Sequence, residues 1–140
     1  MAREIYFSKA RVNWYNEWHR YVQDESKDNK FRMIDIDSYE YCSRCRNGIA
    51  IIESTYDVGK YNKVAYITAD IGTKLGIPAY IVYYNIEGVE HPTFKIAKIN
   101  AILEEIDPIS EGSLVELNEL EYIGYLNWLR QEHKCKVNRG

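Results

Sequence analysis

The spacing of hydrophobic positions changes along the chain and predicts helices and strands in alternation. Apolar residues recur at helical spacing over residues 8–23, which predicts a first helix. Isoleucines that alternate with Asp35 and Asp37 predict a strand with one apolar face and one acidic face. An Asn-Gly dipeptide then marks a turn, and the continuous apolar run 49–52 is typical of a central strand covered on both faces.

The second half of the chain continues this alternation. A helical pattern over 60–75 is followed by a strongly β-prone segment at 79–86, which is either an edge strand or a central one. The C-terminal portion, about 93–133, holds a further strand and a last helix, which Asn118 and Glu121 open as a capping box. These elements predict an α/β fold with an α+β tendency: helices flank one mixed β-sheet in the order α-β-β-α-β-β-α.

Composition narrows the class of protein. The length of 140 residues predicts a single domain spanning 1–140. The net charge of −3 gives no global attraction to nucleic acid, although a bound metal can offset a negative surface locally. No apolar run reaches the length of a membrane span, so we expect no membrane partner. Three cysteines, an odd number in a chain without an export signal, predict reduced thiols and a cytoplasmic location.

Carboxylates on the two strands around the Asn-Gly turn form the first candidate site. If these strands are antiparallel and paired positions sum to about 92, Asp37 lies opposite Thr55, and Tyr39 lies opposite Glu53. Asp35, Asp37 and Glu53 then share one face, with Asp37 and Glu53 as diagonal neighbours about 7 Å apart. Two carboxylates at this distance suit an oxygen-ligated Mg²⁺ or Mn²⁺, whose charge would offset their repulsion.

Two lysines follow the acidic strands. Lys60 and Lys63 fall in the first turns of the helix that the pattern predicts after Glu53. Either ammonium could assist a metal-bound water or neutralise the charge that develops on a phosphate. The spacing does not separate the two lysines, and solvated surface side chains are the alternative for both.

The segment that contains these residues resembles the core of the PD-(D/E)XK nuclease superfamily. That core consists of a helix, a strand with an aspartate, a strand that ends in (D/E)-x-K, a helix and another strand. The resemblance covers about residues 8–86 and implies a restriction-endonuclease-like core. The aspartate corresponds to Asp37, or less well to Asp35, and the glutamate corresponds to Glu53.

The chain departs from the superfamily pattern at one position. Thr55 stands where the lysine is expected, two residues after the glutamate. Some members supply this lysine from the following helix, and Lys60 or Lys63 fits that variant. The resemblance therefore implies a Mg²⁺-dependent endonuclease or exonuclease acting on DNA, with structure-directed cutting of the junction-resolvase or repair type, or an accessory role in a mobile element.

The resemblance also implies partners. DNA is the expected substrate, and superfamily members that cut both strands often form homodimers. Arg44 and Arg46 on the turn, with Arg11 and Arg20 on the first helix, are candidate phosphate contacts. The alternative is a catalytically inactive protein of this fold that acts as a protein-binding or regulatory module.

A set of cysteines and a histidine suggests another alternative, a zinc-stabilised adaptor. Cys42 and Cys45 form a C-x-x-C on the turn, which is the spacing of structural zinc sites. His133 and Cys135 are the two candidates that would complete it. They lie two residues apart, so they converge only if the last helix ends before them. Otherwise the pair on the turn is simply two reduced thiols.

Overall fold

A computed structural model describes residues 36–63 and 65–135, together with five residues near the N-terminus. The chain divides into two compact units, 1–35 and 36–140. In the first unit the five residues are helical, as the pattern over 8–23 predicts: Trp14, Glu17, Trp18, Arg20 and Tyr21. The Trp14 and Trp18 rings stack with centroids 6.3 Å apart, and both side chains are exposed, although their spacing is more typical of core residues.

The second unit contains a five-stranded mixed sheet and two helices, which confirms the mixed α/β class. The strands stand in the order β1-β2-β3-β4-β5, and β2 and β3 are the parallel pair, connected by a crossover helix. The elements are β1 (Ser38–Tyr41), β2 (Gly48–Tyr56), α1 (Tyr66–Leu75), β3 (Ala79–Asn85), β4 (Thr93–Lys98), β5 (Leu114–Asn118) and α2 (Glu119–Glu132). The order predicted from the sequence lacks β5, which is short and runs directly into the capping box of α2.

The sheet is covered on both faces, which explains the long apolar runs. On one face Tyr125 and Leu129 of α2 pack with a cluster that includes Ala50 and Ile52. On the other face Ile51 packs with residues near α1. The first five residues of β3 are buried, so this strand is central and not an edge strand. Neither described helix is long and apolar enough to cross a membrane.

Helix α1 lies very close to the sheet. Its buried residues are Thr68 and Gly72, and a Cβ on Gly72 would lie 3.0 Å from the Cβ of Ala79. Only a small side chain fits at this distance. The sequence pattern places Val64, Ile67, Ile71 and Leu75 on the apolar face of this helix. Of these, Ile71 packs against the core, Ile67 and Leu75 are exposed, and Val64 lies outside the described residues.

The register of the β1–β2 hairpin differs from the predicted one by two residues. Ser38 pairs with Ile52, and Tyr39 pairs with Ile51. A bulge after Glu40 and a short turn move the point of reversal toward the N-terminus. Because the shift is an even number of residues, each side chain keeps the face that the alternation predicts.

A buried polar network joins β3, β4 and α2. Lys98 Nζ lies 2.9 Å from Asp107 Oδ2, and neither side chain is exposed to solvent. The Tyr80 and Tyr125 hydroxyls donate hydrogen bonds to the Asp107 carboxylate over 2.7 and 2.6 Å. Burial, followed by the interaction between the two hydroxyls, raises the pKa of Tyr80 far above its ordinary value. The Lys98 ammonium also lies 3.6 Å from Glu104 Oε2, but it has no hydrogen bond of good geometry within the described part of the chain.

Candidate functional site

Three thiols and an imidazole converge where the hairpin turn meets the end of α2. The Cys42 and Cys135 sulfurs are 3.8 Å apart, and the Cys45 sulfur lies 3.3 Å from Nε2 of His133. The four candidate ligand atoms lie within 4.8 Å of one another. This convergence of the four residues is as predicted, and the group could hold a zinc-like metal ion.

The turn that carries Cys42 and Cys45 has the geometry of a metal-binding knuckle. The Arg46 N–H donates to the Cys42 carbonyl over 2.7 Å, and the Cys42 N–H donates to the Asn47 carbonyl over 2.9 Å. Arg46 adopts a left-handed conformation with φ at 65°, which a non-glycine residue disfavours. The tight reversal thus holds both cysteines on the same side at a local conformational cost.

The other two residues are brought together by the end of α2. The helix ends at Glu132, and His133 is extended, with φ at −68° and ψ at 130°. In an extended chain, residues two apart point to the same side. His133 and Cys135 therefore point toward the turn together, which a continuing helix would prevent.

The backbone around the turn favours the thiolate at one cysteine. Hydrogen bonds from the backbone N–H of Cys45 and of Arg44 lower the pKa of the Cys42 thiol to about 6. At Cys45 a hydrogen bond from the Asn47 N–H acts in the same direction, but burial and the two neighbouring thiols outweigh it, so the pKa of this thiol is raised. A cation is the natural partner for several sulfurs held this close, because metal ligation deprotonates a thiol outright.

The distances among these four atoms suit tetrahedral coordination. Zinc–sulfur bonds of about 2.3 Å place two tetrahedral sulfur ligands about 3.8 Å apart. The Cys42–Cys135 separation of 3.8 Å has this value. Three cysteines and one histidine form a closed ligand set, typical of structural sites, with no position left for a substrate.

Glu53 lies on β2, on the sheet face that α1 covers. Its Oε1 is 2.8 Å from Nζ of Lys63, and the Thr68 hydroxyl donates to its Oε2 over 3.4 Å. Lys63 therefore reaches the carboxylate, but from a loop, because α1 begins only at Tyr66. The prediction that Lys60 and Lys63 lie on the helix is wrong, and Lys60 is exposed on the same loop.

Asp37 stands just before β1. Continuing the observed register by one residue sets it opposite Glu53, and not opposite Thr55. Its Oδ2 accepts a hydrogen bond from the Ser54 N–H over 2.8 Å, which terminates the pairing of β1 with β2. Among the residues that the structure describes, Asp37 and Glu53 belong to no group of three or more metal-ligating side chains. Asp35, the third predicted ligand, lies outside the described residues.

A polar network that the sequence did not predict holds the loop that carries Lys63. The Tyr61 hydroxyl donates to Asp57 Oδ1 over 2.7 Å and accepts from Lys95 Nζ over 2.6 Å, while the Gly59 N–H donates to Asp57 Oδ1 over 2.9 Å. The hydrogen bond from Tyr61, then that from Gly59, lowers the pKa of Asp57. An Asp two residues before a Gly is a turn signal, whereas Lys95 reaches the loop from β4.

The predicted phosphate contacts belong to two different units of the chain. Arg44 and Arg46 are exposed on the hairpin turn. Arg20 is exposed on the helical part of the first unit, and Arg11 lies outside the residues that the structure describes. Arg44 and Arg46 are therefore the two predicted contacts that belong to the hairpin.

Comparisons with protein-family models, with curated proteins and with solved structures found no match to this chain. The resemblance of residues 8–86 to the PD-(D/E)XK superfamily therefore stays a prediction from the sequence. The convergence of the cysteines and the histidine is independent of that similarity.

Proposed function

We propose that the chain is a metal-dependent nuclease that hydrolyses DNA phosphodiester bonds, on a scaffold closed by one structural zinc ion. The observation that carries the nuclease proposal is the 2.8 Å contact between the Lys63 ammonium and the Glu53 carboxylate. Lys63 takes the part of the lysine that the superfamily pattern expects at Thr55, and it reaches Glu53 from the loop before α1. An antiparallel β1–β2 pair, a crossover helix and a parallel β3 agree with the restriction-endonuclease-like core that the sequence suggested.

The chain's own residues support a hydrolytic role in three ways. Asp37 and Glu53 would hold the catalytic Mg²⁺, since carboxylate oxygens are the ligands that this ion prefers. When bound, the ion polarises a phosphoryl oxygen and acidifies a water molecule. Lys63 offsets the negative charge that develops on the phosphate, and Thr68 orients the Glu53 carboxylate through its hydroxyl.

The loop network makes this lysine a positioned group. Asp57, Tyr61 and Lys95 fix the chain two residues before Lys63, so the ammonium is held at Glu53 by a folded loop. Preorganised charge of this kind contributes more to catalysis than a mobile side chain does, because no reorganisation is needed during the reaction. Tyr61 and Lys95 are therefore positioning residues in this proposal.

A cleavage assay tests the proposal. Linear duplex, single-stranded and four-way-junction DNA are incubated with Mg²⁺ or Mn²⁺ and compared with reactions without added divalent ion. We expect metal-dependent cutting that Glu53→Gln and Lys63→Met each reduce at least about 100-fold. Lys60→Met is the matched control, because it removes a neighbouring exposed lysine of the same loop and should leave the rate unchanged.

A zinc-stabilised binding module is the second candidate, and the closed four-residue cluster favours it. A closed site contributes folding free energy without chemistry. Purified protein with one zinc per chain and no cleavage under any metal would support this candidate and contradict the nuclease. Equal cleavage by the wild type, Glu53→Gln and Lys63→Met would contradict the assignment of these catalytic residues.

A further inference from the structure

Two tyrosines stand exposed on the edge strand of the sheet. Strand β1 is the first in the order β1-β2-β3-β4-β5, so one of its edges has no neighbour within the described residues. The Tyr39 and Tyr41 side chains are 43% and 57% exposed. Their rings are nearly parallel, with an interplanar angle of 17° and centroids 6.3 Å apart. Aromatic surface of this size in water is a feature of binding sites more than of a fold.

The ring of Tyr39 lies against the backbone of the neighbouring strand. Tyr39 lies over Gly48 of the neighbouring strand, where an added Cβ would stand 2.5 Å from the Tyr39 hydroxyl oxygen. Glycine at this position lets the ring lie there without being displaced. Alternate residues of a strand project to the same side, so Tyr41 repeats Tyr39 along the strand. The two rings therefore lie on the same side of β1, stacked with each other.

The spacing of the rings matches nucleic acid. Two residues of a strand advance the chain by about 6.7 Å. Two nucleotides of a stacked single strand advance the nucleic acid by about 6.8 Å. The centroid separation of 6.3 Å between the two rings is close to this two-nucleotide spacing.

Charge beside the rings points in the same direction. Arg44 and Arg46, on the turn that follows β1, are exposed, and neither has an ion pair among the residues that the structure describes. Guanidinium groups bind phosphate oxygens in pairs of parallel hydrogen bonds. Aromatic rings with neighbouring arginines are the combination that single-stranded nucleic acid sites use.

We propose that Tyr39 and Tyr41 form a stacking platform for unpaired bases of single-stranded DNA, with Arg44 and Arg46 contacting the adjoining phosphates. The proposal rests on the proposed nuclease function and names its substrate class: a single strand, or the unpaired end or branch of a larger DNA. Tyr39 shares its sheet face with Glu53, since its partner Ile51 is two residues from Glu53 on β2. A strand stacked on β1 therefore lies at the edge of the sheet, on the same side as the Glu53 carboxylate. Duplex DNA offers no free base faces to the platform.

The test is a binding measurement that needs no cleavage. Fluorescence anisotropy compares a labelled single strand of about 16 nucleotides with its duplex, in buffer with zinc and no added Mg²⁺. We expect the single strand to bind at least about tenfold more tightly. Tyr39→Ala and Tyr41→Ala should each weaken its binding about tenfold or more, while Tyr66→Ala, an exposed tyrosine on α1, should leave it unchanged.

A conservative series separates stacking from folding. Tyr41→Phe keeps the ring and should retain the affinity, whereas Tyr41→Leu keeps apolar bulk and should lose it. Zinc content and far-UV circular dichroism confirm the fold of each variant. Wild-type affinity in Tyr41→Leu, or equal binding of single strand and duplex, would overturn the proposal. So would binding of an extended peptide to β1 with no binding of the single strand.

Different results would contradict the stacking platform and the proposed nuclease function. Tyrosine-dependent binding of the single strand without cleavage under any metal would support the platform and contradict the nuclease. Metal-dependent cleavage with wild-type single-strand binding in both alanine variants would contradict the platform and support the nuclease.

Discussion

Removing one ligand of the Cys42–Cys45–His133–Cys135 cluster should destabilise the whole second unit. The two halves of the cluster are far apart in sequence, since Cys45 and His133 are separated by 88 positions. A cross-link that closes a loop of this length restricts the unfolded chain by about 4–5 kcal/mol. Mass action gives a similar figure, since a ligand present at about 1,000 times its dissociation constant stabilises the folded state by about 4 kcal/mol.

A loss of this size is a large fraction of the stability of a small domain. We expect His133→Ala to lower the free energy of unfolding by about 4 kcal/mol and the Tm by roughly 15–30 °C. His91→Ala is the matched control, because His91 is an exposed histidine with only a 4.0 Å contact to Glu90. It should unfold at the same denaturant concentration as the wild type.

Urea unfolding followed by far-UV circular dichroism, with zinc and after chelation, measures this loss. Elemental analysis should give one zinc per wild-type chain, and a Co²⁺ substitute should show the visible absorption of a tetrahedral thiolate site. The reasoning is refuted if the wild type unfolds at one midpoint with and without metal. It is equally refuted if His133→Ala retains one tightly bound zinc.

Three further predictions concern the described residues around the sites. Lys98→Met and Asp107→Asn should each lower the unfolding free energy by about 3–5 kcal/mol, because each leaves the other buried charged or polar group without its partner. In denaturant titrations the double variant should lose at least about 2 kcal/mol less than the sum of the two single losses. Arg46→Gly should raise the free energy of unfolding of the zinc-loaded protein by about 1 kcal/mol, since glycine accepts φ at 65°, and an unchanged midpoint would contradict the strain. The pKa of Asp57 is lowered below 3.8, so the stabilisation that this carboxylate provides is fully present above that pH and is lost as the pH falls through the lowered pKa. An NMR titration of the Gly59 amide should show the loop loosening only in acid. Loosening near neutral pH would contradict this expectation.

The parts of the fold that follow from local signals were predictable from the sequence. The capping box of Asn118 and Glu121 opens α2 where the pattern places it. The C-x-x-C spacing predicts a knuckle because the cysteines are close in the chain. The sequence allowed His133 and Cys135 to join the same site only if the last helix ends before them, and the helix ends at Glu132. Mg²⁺ ligation by Asp37 and Glu53 remains a prediction, because these two carboxylates belong to no group of three or more metal-ligating side chains among the described residues.

The parts that depend on contacts between distant segments were not predictable. The most buried part of α1 is decided by how closely Gly72 approaches Ala79, so Thr68 and Gly72 are its buried residues while Ile67 and Leu75 are exposed. The start of α1 is decided by the loop that Lys95 holds from β4, which moves Lys63 off the helix. Periodicity describes a single segment, and both outcomes depend on the neighbour that the segment packs against.

The β1–β2 hairpin connects the sites. Cys42 and Cys45 lie on its turn, Tyr39 and Tyr41 lie on its first strand, and Glu53 lies on its second. A hairpin alone is only marginally stable in water, and its first strand here pairs over four residues. A metal ion that joins the turn to the end of α2 would therefore limit the motion of the strand that carries Tyr39 and Tyr41. The ion would do so without contacting the two tyrosines or Glu53. This is the physical reason for expecting a structural zinc in a domain whose proposed chemistry depends on a different metal.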